Sequence, residues 1–180
     1  MTRPLEASIT IRAATLDDAA ALAELARRTF SDAFAADNTP DDLAAFLAAT
    51  YGPDIQRREL ADPALHYVVA ERDGTPVAYA LLRDKRSPYV SDPTAIELQR
   101  FYVDQSYQGS GIAQALMAHC IAGARARGAG TLWLGVWQRN ARALRFYSAQ
   151  GFHAVGRTVF TVGSDPQEDI VMTRSVPPTD

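Results

Sequence analysis

The chain has 180 residues, 47% of them hydrophobic and 22% charged, with a net charge of −3. That is the profile of about one soluble globular domain, able to bury roughly two-thirds of its unfolded surface without a metal or disulfide staple. The single cysteine, Cys120, excludes an intrachain disulfide and points to a reducing, cytoplasmic setting. The negative balance excludes a general match to nucleic acid. The apolar run Gly111–Ala124 is too short to cross a bilayer, and Met1–Thr10 lacks the basic-then-apolar layout of a signal peptide. The expectation is one cytoplasmic domain over 1–180, with 177–180 as a flexible tail and no membrane or nucleic-acid partner. Charge is uneven: residues 1–62 carry 11 Asp/Glu against 6 Arg, and the remainder 10 Asp/Glu against 12 Lys/Arg. Such a division suits handling a cation on one side and an anion on the other, or simply a solvated charged face.

The alternation over Ser8–Ala13 predicts an opening strand. Thr15 with Asp18 predicts the start of a helix along Leu22, Leu25, Ala26 and Phe30. Thr39-Pro40 repeats the start signal for a helix carrying Leu43, Phe46 and Leu47, and Pro53 opens a shorter one ending near Ala61. Strands at His66–Arg72 and Pro76–Arg83 flank Asp73-Gly74, a pair that favours the primed hairpin turns. A loop with Pro88 and Pro93 precedes a strand at Ala95–Val103. A glycine-bearing turn at Gln108–Gly111 then leads into a helix with Ile112, Leu116, Cys120 and Ala124 on one face, ended by Gly128 and Gly130. Thr131–Trp137 is almost wholly apolar, as a sheet interior requires. A helix over Asn140–Gln150 is stopped by Gly151, and strands at Phe152–Val162 and Asp169–Val176 close the chain. The order predicts a mixed α/β (α+β) domain built on one sheet.

The turn Gln108-Gly109-Ser110-Gly111-Ile112-Ala113 lies between a strand and a helix. Glycines admit close backbone approach and the first helical N–H groups are unpaired, an arrangement that binds phosphate or pyrophosphate. A Walker loop would need a following Gly-Lys-Ser/Thr, and a dinucleotide fingerprint would need glycine at Gln114; neither is present. A tight turn with positive φ is the remaining alternative.

The flanks decide between these. Glu97-Leu98-Gln99-Arg100-Phe101-Tyr102-Val103 followed by Tyr107-Gln108-Gly109-Ser110-Gly111-Ile112-Ala113 resembles the acetyl-CoA motif of the GNAT acetyltransferases, Gln/Arg-x-x-Gly-x-Gly/Ala. A second block, Trp137, Asn140, Ala143, Phe146-Tyr147 and Gly151-Phe152, resembles that family's second signature in order and spacing. Thr29-Phe30, Phe34, Asn38-Thr39-Pro40, Asp42-Leu43, Trp133–Trp137, Phe160-x-x-Gly163 and Asp169-Ile170-Val171-Met172 extend the likeness to the PaiA-type spermidine/spermine acetyltransferases over nearly the whole chain. The resemblance implies the GNAT fold: one central, mostly antiparallel, twisted sheet with helices on both faces. It also implies acetyl-CoA as co-substrate and an amine as acceptor.

By the family pattern, the N–H groups of Gln108, Gly109, Ser110, Gly111, Ile112 and Ala113 cradle the pyrophosphate. The backbone of Phe101, Tyr102 and Val103 would pair with the pantetheine arm as an added strand, with the Val103 N–H or its neighbour donating to the thioester oxygen. Asn140 would cap its helix and touch the cofactor arm, beside Phe146. Tyr147 is the candidate general acid for the leaving thiolate, and Glu97 the candidate base, acting through water. Simple alternation puts Glu97, Gln99, Phe101 and Val103 on one strand face unless a bulge intervenes; the alternative role for Glu97 is an ion pair, with Arg100 a candidate partner. Arg139, Arg142 and Arg145 are candidates for the 3′-phosphate, or a solvated row. Cys120 falls on the packed helix face, an inert position for a would-be acyl carrier. His66, His119 and His153 share no ligand spacing, so no metal is expected.

The acidic residues Asp32, Asp37, Asp41 and Asp42 lie where the family's acceptor cleft would be, and suit a polycation. The reading is therefore an acetyl-CoA-dependent N-acetyltransferase acting on a polyamine or similar small amine by direct attack in a ternary complex. Protein N-terminal or lysine acetylation, and a non-catalytic CoA sensor, are the alternatives. The apolar last strands admit pairing across a homodimer.

Overall fold

The computed structural model describes residues 9–178. The expected strand start at Ser8 and tail residues 179 and 180 lie outside the described residues. β1 (Ile9–Ala13) runs into a 3-10 turn over Leu16–Asp18, where the Asp18 carboxylate accepts the Thr15 N–H at 2.6 Å. α1 (Ala19–Phe34) follows, with Leu22, Leu25, Ala26 and Phe30 buried along one face. Thr39 caps α2 (Pro40–Thr50), its hydroxyl accepting the Asp42 N–H at 3.2 Å, and α3 (Pro53–Ala61) begins on its own proline.

β2 (Leu65–Arg72) and β3 (Thr75–Arg83) are joined by Asp73-Gly74 with φ of 51° and 79°, the two positive values that a primed turn demands. β4 (Ile96–Val103), α4 (Ile112–Ala126), β5 (Thr131–Trp137) and α5 (Ala141–Ala149) come next. The expectation departs most from the structure at the end of the chain. β6 (His153–Val162) and β7 (Asp165–Ser175) meet at Gly163-Ser164, so β7 starts four residues before the expected Asp169. Pro166 hid this start. It lies beyond Asp169, the last β7 residue paired with β5, where the strand has a neighbour on one side only.

The seven strands form one sheet in the order β1-β2-β3-β4-β5-β7-β6, antiparallel except for β4 with β5. One face packs against α4 and α5 through Leu98, Leu116, Leu132, Leu134 and Phe152. The other packs against α1, α2 and α3 through Leu22, Phe30, Tyr51, Tyr79 and Leu81. Each fully buried leucine contributes about 1.5–3 kcal/mol. The expected tail is partly held: the Pro177 carbonyl accepts from Arg125 Nε at 2.7 Å.

Two irregularities position the site. Leu81 pairs with Arg100 but Leu82 with Leu98, so Gln99 is an extra residue bulged out of β4. β4 and β5 pair only at Ile96–Leu132 and Glu97–Trp133, and beyond those pairs the two strands diverge. The bulge overturns the simple alternation. Phe101 and Val103 lie with Leu98 on the α4 and α5 face, whereas Glu97, Arg100 and Tyr102 face α1 to α3.

Candidate active site

Where β4 and β5 part, a cleft of about 840 Å³ opens through the sheet, lined from one side by Phe101, Val103 and Tyr147 and from the other by Phe34, Glu97 and Asp169. Its backbone edge is prepared. The Asp104 N–H bonds the Val77 carbonyl at 2.8 Å, so the antiparallel alternation turns the N–H and C=O of Val103 and Phe101 away from β3 and into the gap. The Val103 carbonyl accepts from Gln108 Nε2 at 3.2 Å. Phe101 stacks on Phe146 with centroids 5.6 Å apart, and Tyr102 on Tyr79 at 5.7 Å. Their side chains brace the strand while the N–H groups of Phe101 and Val103 have no partner among the described residues.

At the mouth of the cleft, Gly111 caps α4 with φ of 88°. No described residue accepts from the N–H groups of Gly109, Gly111, Ile112, Ala113 and Gln114. Two members of the expected cradle are otherwise engaged, Gln108 N–H with the Gln105 carbonyl and Ser110 N–H with the Tyr107 carbonyl, each at 3.3 Å. Gln108, Gly109 and Ala113 line the cleft, whereas the Ile112 side chain is buried in the core. Converging N–H groups at a helix N-terminus fit a pyrophosphate. Asn140 Oδ1 accepts the Ala143 N–H at 3.0 Å, and Arg142 Nη1 donates to Gln108 Oε1, which ties the start of α5 to the cradle. Arg139 and Arg145 are exposed, and Arg139 lies outside the helix.

Tyr147 lines the cleft from α5, set edge-on to Phe146 at 5.5 Å and Phe152 at 5.7 Å. Burial pushes its phenol well above the ordinary tyrosine range, which keeps the proton on at neutral pH. The group therefore carries its proton at neutral pH, the state from which a donor to a departing thiolate must start. Cys120 is fully buried and burial pushes its thiol up to about 12, so it holds little thiolate.

Glu97 lines the cleft but its Oε2 accepts from Arg83 Nε at 2.5 Å. Arg100 is not its partner. That guanidinium donates to both carboxylate oxygens of Glu59, at 2.9 and 3.1 Å, and to the Tyr67 hydroxyl. Of the acidic residues expected at the acceptor end, Asp32 alone lines the cleft. Asp42 instead clips the β6–β7 turn, accepting from the Ser164 N–H at 2.6 Å and its hydroxyl at 2.7 Å. The turn is also held by Gln167 Nε2 donating to Asn38 Oδ1 at 2.7 Å, and by Phe160 against Phe46 with centroids 5.6 Å apart. On the opposite side Tyr89 lies across Gly156, where a Cβ would have no room, and the Lys85 carbonyl accepts the Trp133 indole N–H at 2.9 Å.

Among the described residues no group of three His, Cys, Asp or Glu side chains is disposed to hold a metal, and no helix is long and apolar enough to cross a membrane. Two features of the site escaped the sequence reading. The sequence places Arg83 only at a strand end, and Asp169 only at a strand start within a family-like segment. The signal for Arg83 was its place two residues past Leu81 on the same face; for Asp169 it was an acid directly before the apolar run Ile170-Val171-Met172.

The acetyltransferase (GNAT) family model matches residues 20–152. An N-acetyltransferase of Mycobacterium tuberculosis is 36% identical over 161 residues, 89% of this chain and 99% of that one. The N-alpha-acetyltransferase RimI of the same organism is 36% identical over 149 residues, 82% of this chain and 80% of its own. Among solved structures, the PaiA N-acetyltransferase of Thermoplasma acidophilum in complex with coenzyme A superposes with a TM-score of 0.74 at 21% identity, over 93% of this chain and 99% of that one. This chain belongs to the GNAT family and is an N-acetyltransferase.

Proposed function

We propose that this chain transfers the acetyl group of acetyl-CoA to a small polyamine of the spermidine or spermine class, by direct attack in a ternary complex. The free N–H groups of Gly109 and Gly111–Ala113 receive the pyrophosphate, and the exposed edge of β4 receives the pantetheine arm. The Val103 N–H polarises the thioester carbonyl, and Tyr147 protonates the departing thiolate. The burial of Cys120 supports direct attack over an acyl-enzyme route.

The observation that carries the acceptor class is the walled far end of the cleft. The Asp42–Ser164 clip closes one flank and Tyr89 on Gly156 the other, while Asp32, Asp169, Phe34 and Trp137 face the space between. Carboxylates with aromatic faces suit a slim chain of ammonium groups. The chain serves as one catalytic domain over 1–180 in the cytoplasm, and edge strand β6, with Val159 outward, is the place for a homodimer to pair. A second reading, a protein N-terminus as acceptor, draws on the likeness to RimI.

Release of CoA thiol with spermidine, spermine and N-terminal peptides separates the two. Turnover with spermidine at least ten times that with any peptide supports the polyamine reading, and the reverse order supports the peptide.

A further inference from the structure

Five acidic or basic residues among the described residues are buried: Asp18, Glu97, Arg100, Asp104 and Asp169. Four of them are paired. Arg12 holds Asp18, Arg83 holds Glu97, Arg28 holds Asp104, and Arg100 holds Glu59. Asp169 is the exception. It is 9% exposed, with its carboxylate oxygens reaching the cleft, and no described side chain or N–H donates to them.

Its position is set by the sheet. β7 is the strand between β5 and β6, and Asp169 pairs in register with Trp137 on one side and Thr158 on the other. The carboxylate lies beside Gly135, where a Cβ would come within 3.3 Å of its Oδ2. It lines the cleft shared by Val103 and Tyr147, and its charge is felt by the Tyr102 hydroxyl. A buried carboxylate without a donor is destabilising unless something else supplies the cation.

We propose that Asp169 is the catalytic base of this acetyltransferase, receiving the ammonium of the acceptor and removing its proton. The assignment rests on the amine-acceptor reading above, but not on which amine is used. The ammonium R–NH3+ gives one proton to the Asp169 carboxylate, leaving R–NH2 and a neutral carboxyl. The amine nitrogen forms its bond to the acetyl carbon while the C–S bond breaks. The second nitrogen proton leaves as the amide forms, and the thiolate takes one proton from Tyr147, whose oxygen that nitrogen proton restores. Asp169 then returns its proton to solvent, so the net products are the N-acetyl amine, CoA thiol and one proton. Glu97, clamped by Arg83, is the competing base.

The test is steady-state CoA release by full-length wild type, Asp169→Asn, Asp169→Gly and Glu97→Gln, using whichever amine of a panel wild type acetylates fastest. That choice separates failure of this assignment from failure of the polyamine reading. Asp169→Asn is expected to lower kcat at least 100-fold while the KM for acetyl-CoA stays within threefold. Added formate is expected to restore at least a tenth of wild-type turnover to Asp169→Gly. Circular dichroism and thermal unfolding run in parallel. A kcat within threefold of wild type, a raised amine KM with kcat intact, or an Asp169→Asn protein unfolded at 25 °C would each overturn the assignment. So would failure of formate to rescue a folded Asp169→Gly.

Discussion

Replacing Asp169 by asparagine removes one negative charge while keeping the side chain's size, and its effect on stability follows from the site. Burial lifts the carboxyl from 3.8 to about 6. Its neighbours along the sheet, Gly135, Trp137 and Thr158, do not titrate, and burial keeps the Tyr102 phenol protonated. A raised acid pKa means that the folded protein holds the proton more tightly than the unfolded chain. The penalty is therefore absent below pH 3.8, grows as pH rises toward 6, and is complete above it. At about 1.36 kcal/mol per pKa unit the ceiling is ~3 kcal/mol, and contact of the cleft with water brings the working figure to ~1–2 kcal/mol. Asparagine escapes this charge penalty, so Asp169→Asn should be more stable than wild type at pH 8, with roughly half that advantage at pH 5. For a chain of this length each kcal/mol moves Tm by about 2–4 °C, giving a gain of roughly 2–8 °C at pH 8. Urea unfolding at both pH values, followed by circular dichroism, measures the difference. A variant less stable than wild type at pH 8 would mean that the carboxylate has a donor in the folded protein, and the argument would fail.

Tyr147→Phe should cut turnover about 100-fold while leaving CoA affinity within threefold, since only the proton donor is lost; equal losses in both would make the hydroxyl a binding or structural group. Arg100→Met should cost about 2–4 kcal/mol in urea unfolding, because it strands the Glu59 carboxylate that ties α3 to the sheet. An unchanged midpoint would show that solvent replaces the guanidinium. Gly111→Ala should lose about 1 kcal/mol of stability, because φ there is 88°, and should weaken CoA binding at least tenfold as the cradle shifts. Calorimetric titration with CoA gives the second number, and an unchanged affinity would remove this turn from the binding site.

Local chemistry made much of the fold readable. Asp73-Gly74, Thr39-Pro40 and Asn140 each announced an element boundary through backbone demands that neighbours alone impose. The cofactor end was readable for the same reason, since its chemistry resides in the backbone of one contiguous turn. What escaped depends on residues far apart in sequence. The Gln99 bulge is visible only in the pairing of β3 with β4, and it moved Glu97 to the opposite face from Phe101. Asp42 looked like part of an acidic lining, but its partner Ser164 is 122 residues away. Asp169 became a candidate only once each other buried carboxylate had been matched to its arginine. Loss of a helix cap is a local event, whereas the absence of a partner is a property of the whole fold.

The most direct test of the central account is the initial rate of CoA thiol release from acetyl-CoA with spermidine, spermine, putrescine, aminoglycosides, amino acids and N-terminal peptides. The account predicts saturable turnover concentrated on spermidine or spermine, with one N-acetyl product per thiol released. Preferred turnover of a peptide would overturn the polyamine acceptor and leave the enzyme standing. Tight binding of acetyl-CoA with no turnover of any amine would contradict the catalytic account itself.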